Sequence, residues 1–177
     1  MATESEIERV RSYLVSQAEK KTFEELRPAV EEARAALLAE VEGVSEAQAR
    51  FKPAGQGEDA WSIAEVLRHC IQGEEAVALR IRALGLGDPA RPGASGRLVG
   101  RANASLAELI RDLKAANFAL DHAVGSIAGK ELLEPTTAHP FFGELNCRGW
   151  FLFQRVHDLD HVRQIQKIKA DPAYPPQ

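Results

Sequence analysis

The stretch His157-Asp158-Leu159-Asp160-His161-Val162-Arg163-Gln164-Ile165 sets two histidines four residues apart. On an α-helix that spacing puts both imidazoles on one face, one turn above the other. Two imidazoles so placed can share one metal ion. Trp150 stands seven residues before His157 and Ile168 seven after His161, so the pair continues an apolar stripe that faces a helical core. Asn146 suits the N-cap of this helix, which continues to about Ala170 and stops before Pro172. By itself the pair reads equally as metal ligands or as chance spacing.

Working outward, the same helical period recurs along nearly the whole chain. Ile7, Val10 and Leu14 mark an amphipathic helix from about Glu4 to Lys20. Val30, Ala33, Leu37, Leu38 and Val41 form the stripe of a second helix, over about Pro28 to Val44. Thr22 and Glu25 have capping-box spacing, but a start there would put Pro28 inside the helix, so a start near Arg27 is expected. Ser45 and Gln48 predict one extra turn. Ser62 and Glu65 cap a helix with Ile63, Val66, Leu67, Cys70, Val77 and Ile81 on one face, ending at Gly85 and Gly87. The Gly/Pro-rich loop GLGDPARPGASGRLVG follows, without the Gly-Lys-Ser/Thr ending of a phosphate-binding loop. Ser105 and Glu108 cap another helix, striped by Leu106, Leu109, Ile110, Leu113, Leu120, Val124 and Ile127 and ended by Gly129. A loop from Lys130 to Leu145 carries Pro135 and Pro140, and no strand-type alternation is visible. The expected fold is all-α: a four-helix bundle with an extra N-terminal helix and two long crossover loops. Its divisions are residues 1–24 (accessory helix), 25–171 (bundle) and 172–177 (tail), with the first helix packed outside the bundle or across a partner subunit.

His69 is the third candidate ligand. It lies beside the apolar stripe of its helix, one turn after Glu65, and Gly73 one turn later leaves space next to it. A lone histidine near a stripe is more often a hydrogen-bonded core residue. With His157 and His161 in a bundle, however, it completes three imidazoles with an open fourth position, the arrangement of a catalytic zinc-type site. His122 falls off its stripe and His139 sits in a loop before Pro140, so neither is expected to bind metal.

Composition narrows the function. The chain has 177 residues, of which 45% are hydrophobic, enough for one globular domain. Lys and Arg number 22 against 26 Asp and Glu, a net charge of −4, with no basic run. Nucleic-acid and membrane-surface partners are therefore not expected. Two cysteines, Cys70 and Cys147, read as small buried thiols in a reducing compartment rather than a disulfide framework. The start MATESEIERV is acidic and polar, unlike a secretory signal, and no apolar run approaches a membrane span. A cytoplasmic location is expected.

Three stretches resemble the DinB-like superfamily, the bacillithiol or mycothiol transferase-like bundles. Trp61-Ser62-Ile63-Ala64-Glu65-Val66-Leu67-Arg68-His69 is similar to the second core helix of that family, Trp150 to Phe153 to the lead-in of its fourth helix, and residues 157–165 to its closing His-x-x-x-His segment. The resemblance spans roughly Pro28 to Ala170 and leaves the first helix unexplained. It implies a homodimeric four-helix bundle with a metal held by His69, His157 and His161. Zinc or nickel fits three imidazoles, with iron or copper as rivals. It also implies thiol-dependent transferase or isomerase chemistry, in which a low-molecular-weight thiol attacks an electrophilic substrate after the metal depresses its pKa.

Around this site, Asp158 and Asp160 are candidates to orient the imidazoles, although neighbours in sequence cannot both face inward. Asn117 interrupts the stripe of its helix and reads as a pocket-lining group or a satisfied buried amide. Trp150 is expected near the pocket, and Cys70 points away from His69 and is not expected to bind metal. A metal-bound hydroxide performing hydrolysis would use the same site. His157-Asp158-x-x-His161 also copies the metalloprotease His-Glu-x-x-His with a shorter acid, but lacks the further glycine and histidine of metzincins. A di-iron carboxylate bundle needs paired Glu-x-x-His motifs, which are missing. A non-catalytic metal-binding scaffold or stress protein is the remaining alternative.

Overall fold

A computed structural model describes residues 3–88 and 100–176. Six α-helices order as α1 (Glu4–Lys20), α2 (Phe23–Glu40), α3 (Glu46–Arg50), α4 (Ile63–Gly85), α5 (Leu106–Ile127) and α6 (Cys147–Lys169). Most of the Gly/Pro-rich loop read from the sequence lies outside the described residues. Five helices begin with a capping box, on Thr3, Thr22, Ser45, Ser62 and Ser105. The sixth is capped by the Asn146 side chain, which accepts from Gly149 N–H at 2.9 Å.

The start of α2 corrects the expectation from sequence. The helix begins at Phe23, and Pro28 sits inside it. Proline there removes one backbone hydrogen bond near the helix start. Against that loss stand the Thr22–Glu25 box and the burial of Phe23 (1% exposed) and Leu26 (2%), which a start at Arg27 would give up.

α2, α4, α5 and α6 form the bundle. Its apolar side chains divide into two clusters. One gathers Leu14, Phe23, Val30, Ile81, Leu84, Leu120, Ile127 and Phe151. The other gathers Leu37, Ile63, Leu67, Ile71, Leu109, Leu113, Ile165 and Ile168. The early part of α2 and α6 shares the first cluster with the late part of α4 and α5. α2 and α6 therefore run together and α4 and α5 run against them. α1 packs on α6 of its own chain, outside the bundle, burying Leu14 and Ala18.

The connection from α5 to α6 is not wholly irregular. Thr137–His139 (β1) and Gly143–Leu145 (β2) pair antiparallel, with His139 opposite Gly143. Gly143 takes φ +67°, a turn conformation that suits glycine. Three-residue strands are too short to produce the alternation that periodicity detects, so the sequence shows only a loop there. No helix among the described residues is long and apolar enough to cross a membrane.

Between the two apolar clusters lies a polar waist. Arg34 on α2 donates from Nη2 to Glu74 Oε1 on α4 and from Nη1 to Asp121 Oδ1 on α5, both at 2.9 Å. Arg27 adds a second donor to Asp121 at 3.1 Å. On α6, Gln154 Nε2 donates to Asp158 Oδ1 at 2.7 Å. The three histidines occupy the same level.

Candidate metal centre

His69 rises from α4, and His157 and His161 rise from successive turns of α6. His157 Nε2 lies 3.0 Å from His69 Nε2 and 3.2 Å from His161 Nε2. One ring nitrogen from each of the three falls within 4.8 Å of the others. Ligands at about 2.0–2.1 Å in a tetrahedral zinc site stand roughly 3.3 Å from one another, so the set is close to ligand spacing.

The rings are neutral at pH 7. Burial, reinforced by the neighbouring imidazoles, pushes His157 and His161 down to about 3. Burial also lowers His69. Each ring therefore offers a lone pair.

For His161 the tautomer is fixed by its surroundings. Gln164 Nε2 donates to the Glu58 carbonyl at 2.8 Å, which turns Gln164 Oε1 toward His161 Nδ1, also at 2.8 Å. An acceptor facing Nδ1 requires the proton there and leaves Nε2 bare toward the other two rings. Gln164 was quoted in the sequence motif without a role; its position one turn after His161 is the signal that could have supplied it.

Gly73 makes room for the cluster, but for His157 rather than His69. A Cβ on Gly73 would stand 3.4 Å from His157 Cε1 and 3.6 Å from its Nε2. That is ordinary contact, so Gly73→Ala is expected to fold normally. It should gain about 0.5–1 kcal/mol from better helix propensity, read as a higher urea midpoint. A branched side chain would press on the ring: Gly73→Val should lose that gain and displace His157.

The remaining candidates separate. Asp158 is 2% exposed, but it is bonded to Gln154, and its Oδ1 stands 3.8 Å from His157 Nδ1, beyond hydrogen-bond reach. Burial raises its carboxyl to about 6. Asp160 faces solvent and pairs with Arg163 at 3.1 Å. Asn117 belongs to the waist: with its amide nitrogen turned inward it donates to both Glu74 carboxylate oxygens and to the Leu113 carbonyl. Trp150 is buried and donates from Nε1 to the Thr137 carbonyl at 3.3 Å, one aromatic layer away from the histidines. Cys70 is buried in the apolar cluster and His122 is exposed.

That aromatic layer is the part of the site sequence reasoning missed. Phe153 lies 5.6 Å from the His157 ring, and His139 from β1 lies 4.5 Å from Phe153 and stacks on Phe142 at 4.7 Å. Trp61 covers the other side, 5.2 Å from His69. The arrangement is a trio of neutral nitrogen donors beside an apolar wall, and among the described residues no carboxylate joins the three ring nitrogens.

A family model of the DinB superfamily matches residues 29–165. The chain belongs to the DinB superfamily. All three histidines and all four bundle helices fall within or across the matched DinB region, whereas α1 lies outside it. A crystal structure of TT2238, a four-helix bundle protein, is similar over 82% of this chain and 99% of that one, at 28% identity and a TM-score of 0.61. No curated protein matches this chain. The DinB fold thus accounts for the bundle, and the site chemistry must be argued from its residues.

Proposed function

We propose that this protein is a metal-dependent S-transferase. His69, His157 and His161 hold one divalent cation, zinc or nickel before iron, and a low-molecular-weight thiol attacks an electrophilic small molecule beside it. The observation that carries this reading is the convergence of three imidazole Nε2 atoms, that of His161 left without its proton by Gln164 and the Glu58 carbonyl.

The donor set fits such an ion. Three neutral imidazoles leave the full double positive charge undiminished, and a fourth position stays free for a ligand. When bound, the ion supplies positive charge that makes a neighbouring thiol more acidic. The chain does the rest. Gln164 orients His161, and Trp61 and Phe153 brace His69 and His157. The aromatic layer excludes water from the side where an apolar electrophile would sit. His157 keeps 14% of its side chain accessible, so the cluster is reachable from outside.

The test is metal analysis of untagged protein purified without added metal, followed by a thiol panel with a chromogenic electrophile. About one zinc or nickel per chain and turnover with one thiol class are expected. No metal after zinc or nickel is supplied would sink the reading, and metal without turnover of any thiol would favour the scaffold alternative. Gln164→Leu should keep the site but weaken it: a lost partner of a ligating histidine costs about 10–100-fold in metal affinity, measurable by competition with a chelator.

A further inference from the structure

Arg80, on the late part of α4, is a half-buried cation. Its Cζ sits 4.0 Å over the Trp150 ring. Its Nε is buried and has no hydrogen-bond partner. Among the described residues it forms no ion pair, and burial is what acts on it, lowering its pKa. A cation withdrawn from water without compensation is costly, and the stacked ring recovers only part of that cost.

Its neighbour across Trp150 is His139, 5.3 Å from the same ring. His139 Nδ1 accepts from the Phe141 and Phe142 N–H groups at 3.2 and 3.3 Å. Those two donors fix the lone pair on Nδ1 and the proton on Nε2. Burial and the nearby Arg80 charge keep the ring neutral, with its pKa down at about 4. No acceptor among the described residues takes the Nε2 proton. A buried, unpartnered Arg80 Nε and a His139 Nε2 proton with no protein acceptor among the described residues thus flank one aromatic surface, and Phe153 links that surface to His157.

We propose that Arg80 and His139 form a subsite for the oxyanion of a small ligand, a carboxylate or a phosphate, next to the three-histidine centre. The guanidinium supplies charge and a planar fork of donors; His139 Nε2–H supplies one neutral donor. The aromatic rings between them and His157 accept the apolar or planar body that carries the anion. The assignment rests on the proposed function only for what that ligand does: the donors belong to this chain and need no metal.

The test titrates the full chain, as purified and as His69→Ala, with benzoate, phenyl phosphate and benzyl alcohol, following the Arg80 and Trp150 side-chain N–H signals by NMR. One of the two anions should bind at least about tenfold tighter than the alcohol, the loss expected for one charge-assisted hydrogen bond, and the tighter anion identifies the source. Binding should persist in His69→Ala, fall about tenfold in Arg80→Gln and recover partly in Arg80→Lys, which keeps the cation over Trp150. Equal binding of all three probes, or unchanged anion affinity in Arg80→Gln, overturns the subsite. Anion binding lost in His69→Ala but kept in Arg80→Gln also overturns it, because the anion then sits on the metal, and the proposed function stands. Anion binding in a chain that takes up no metal supports the subsite and overturns the proposed function instead.

Discussion

His157→Ala should abolish stoichiometric metal binding while leaving the helical fold intact. His157 is the central member of the cluster, with its Nε2 3.0 Å from His69 Nε2 and 3.2 Å from His161 Nε2. Removing it leaves two imidazoles on different helices. The loss should exceed the about 10–100-fold expected for an orienting partner such as Gln164. The fold should survive because His157 belongs to neither apolar cluster and the truncated side chain faces Gly73. Metal content by mass spectrometry and far-UV circular dichroism on the same sample check both halves. Full metal content in the variant would show that His157 is not a ligand.

The largest stability effect should come from Arg34→Ala. Arg34 is 6% exposed and its partner Glu74 is 1% exposed, so the variant strands a buried carboxyl. Breaking one side of a buried pair costs about 3–5 kcal/mol. The low end applies, because burial already pushes the Glu74 carboxyl up to about 8 against the pull of Arg34, and the group can take a proton. About 3 kcal/mol corresponds to roughly 6–12 °C in melting temperature for a chain of this size.

The sign with pH follows. Glu74 holds a proton in the folded state that the unfolded chain releases above its ordinary value of 4.5, so folding weakens as pH rises until the folded pKa is passed. Without Arg34 that folded pKa rises further. The gap between variant and wild type should therefore widen above about pH 8. Arg34→Met with Glu74→Leu should recover most of the loss, because apolar replacement of a whole buried pair is often neutral. Thermal melts of the single and double variants at pH 7 and 9 decide it; an unchanged melting temperature in Arg34→Ala would show that the pair contributes nothing.

The bundle and the three histidines were legible because helical period is a local property: Trp150, His157, His161 and Ile168 announce their shared face through spacing alone. Arg34 and Glu74 were legible in principle. Arg34 stands four residues after Val30 and three before Leu37, and Glu74 three after Ile71 and three before Val77, so each is a charge on an apolar stripe. Two such charges of opposite sign on facing helices predict a buried pair, but only when stripes are read for their interruptions. Pro28 misleads because the one backbone bond it removes is local and visible in the sequence, whereas the burial of Phe23 and Leu26 that outweighs it depends on the packed bundle. His139 and Arg80 could not be paired from sequence: a hairpin of three-residue strands leaves no period, and what brings them together is the packing of that hairpin against α6.

The polar waist also governs how the chain comes apart. His69 and His157 are separated by 88 positions. An ion shared between α4 and α6 would close a loop of that size in the unfolded chain, a restriction worth about 4–5 kcal/mol if it acts like a cross-link of equal span. The two apolar clusters meet at that tie. Amides of α4 and α6 on both sides of it should then exchange with solvent as one cooperative unit when the ion is present, and as two halves of unequal protection when it is stripped away.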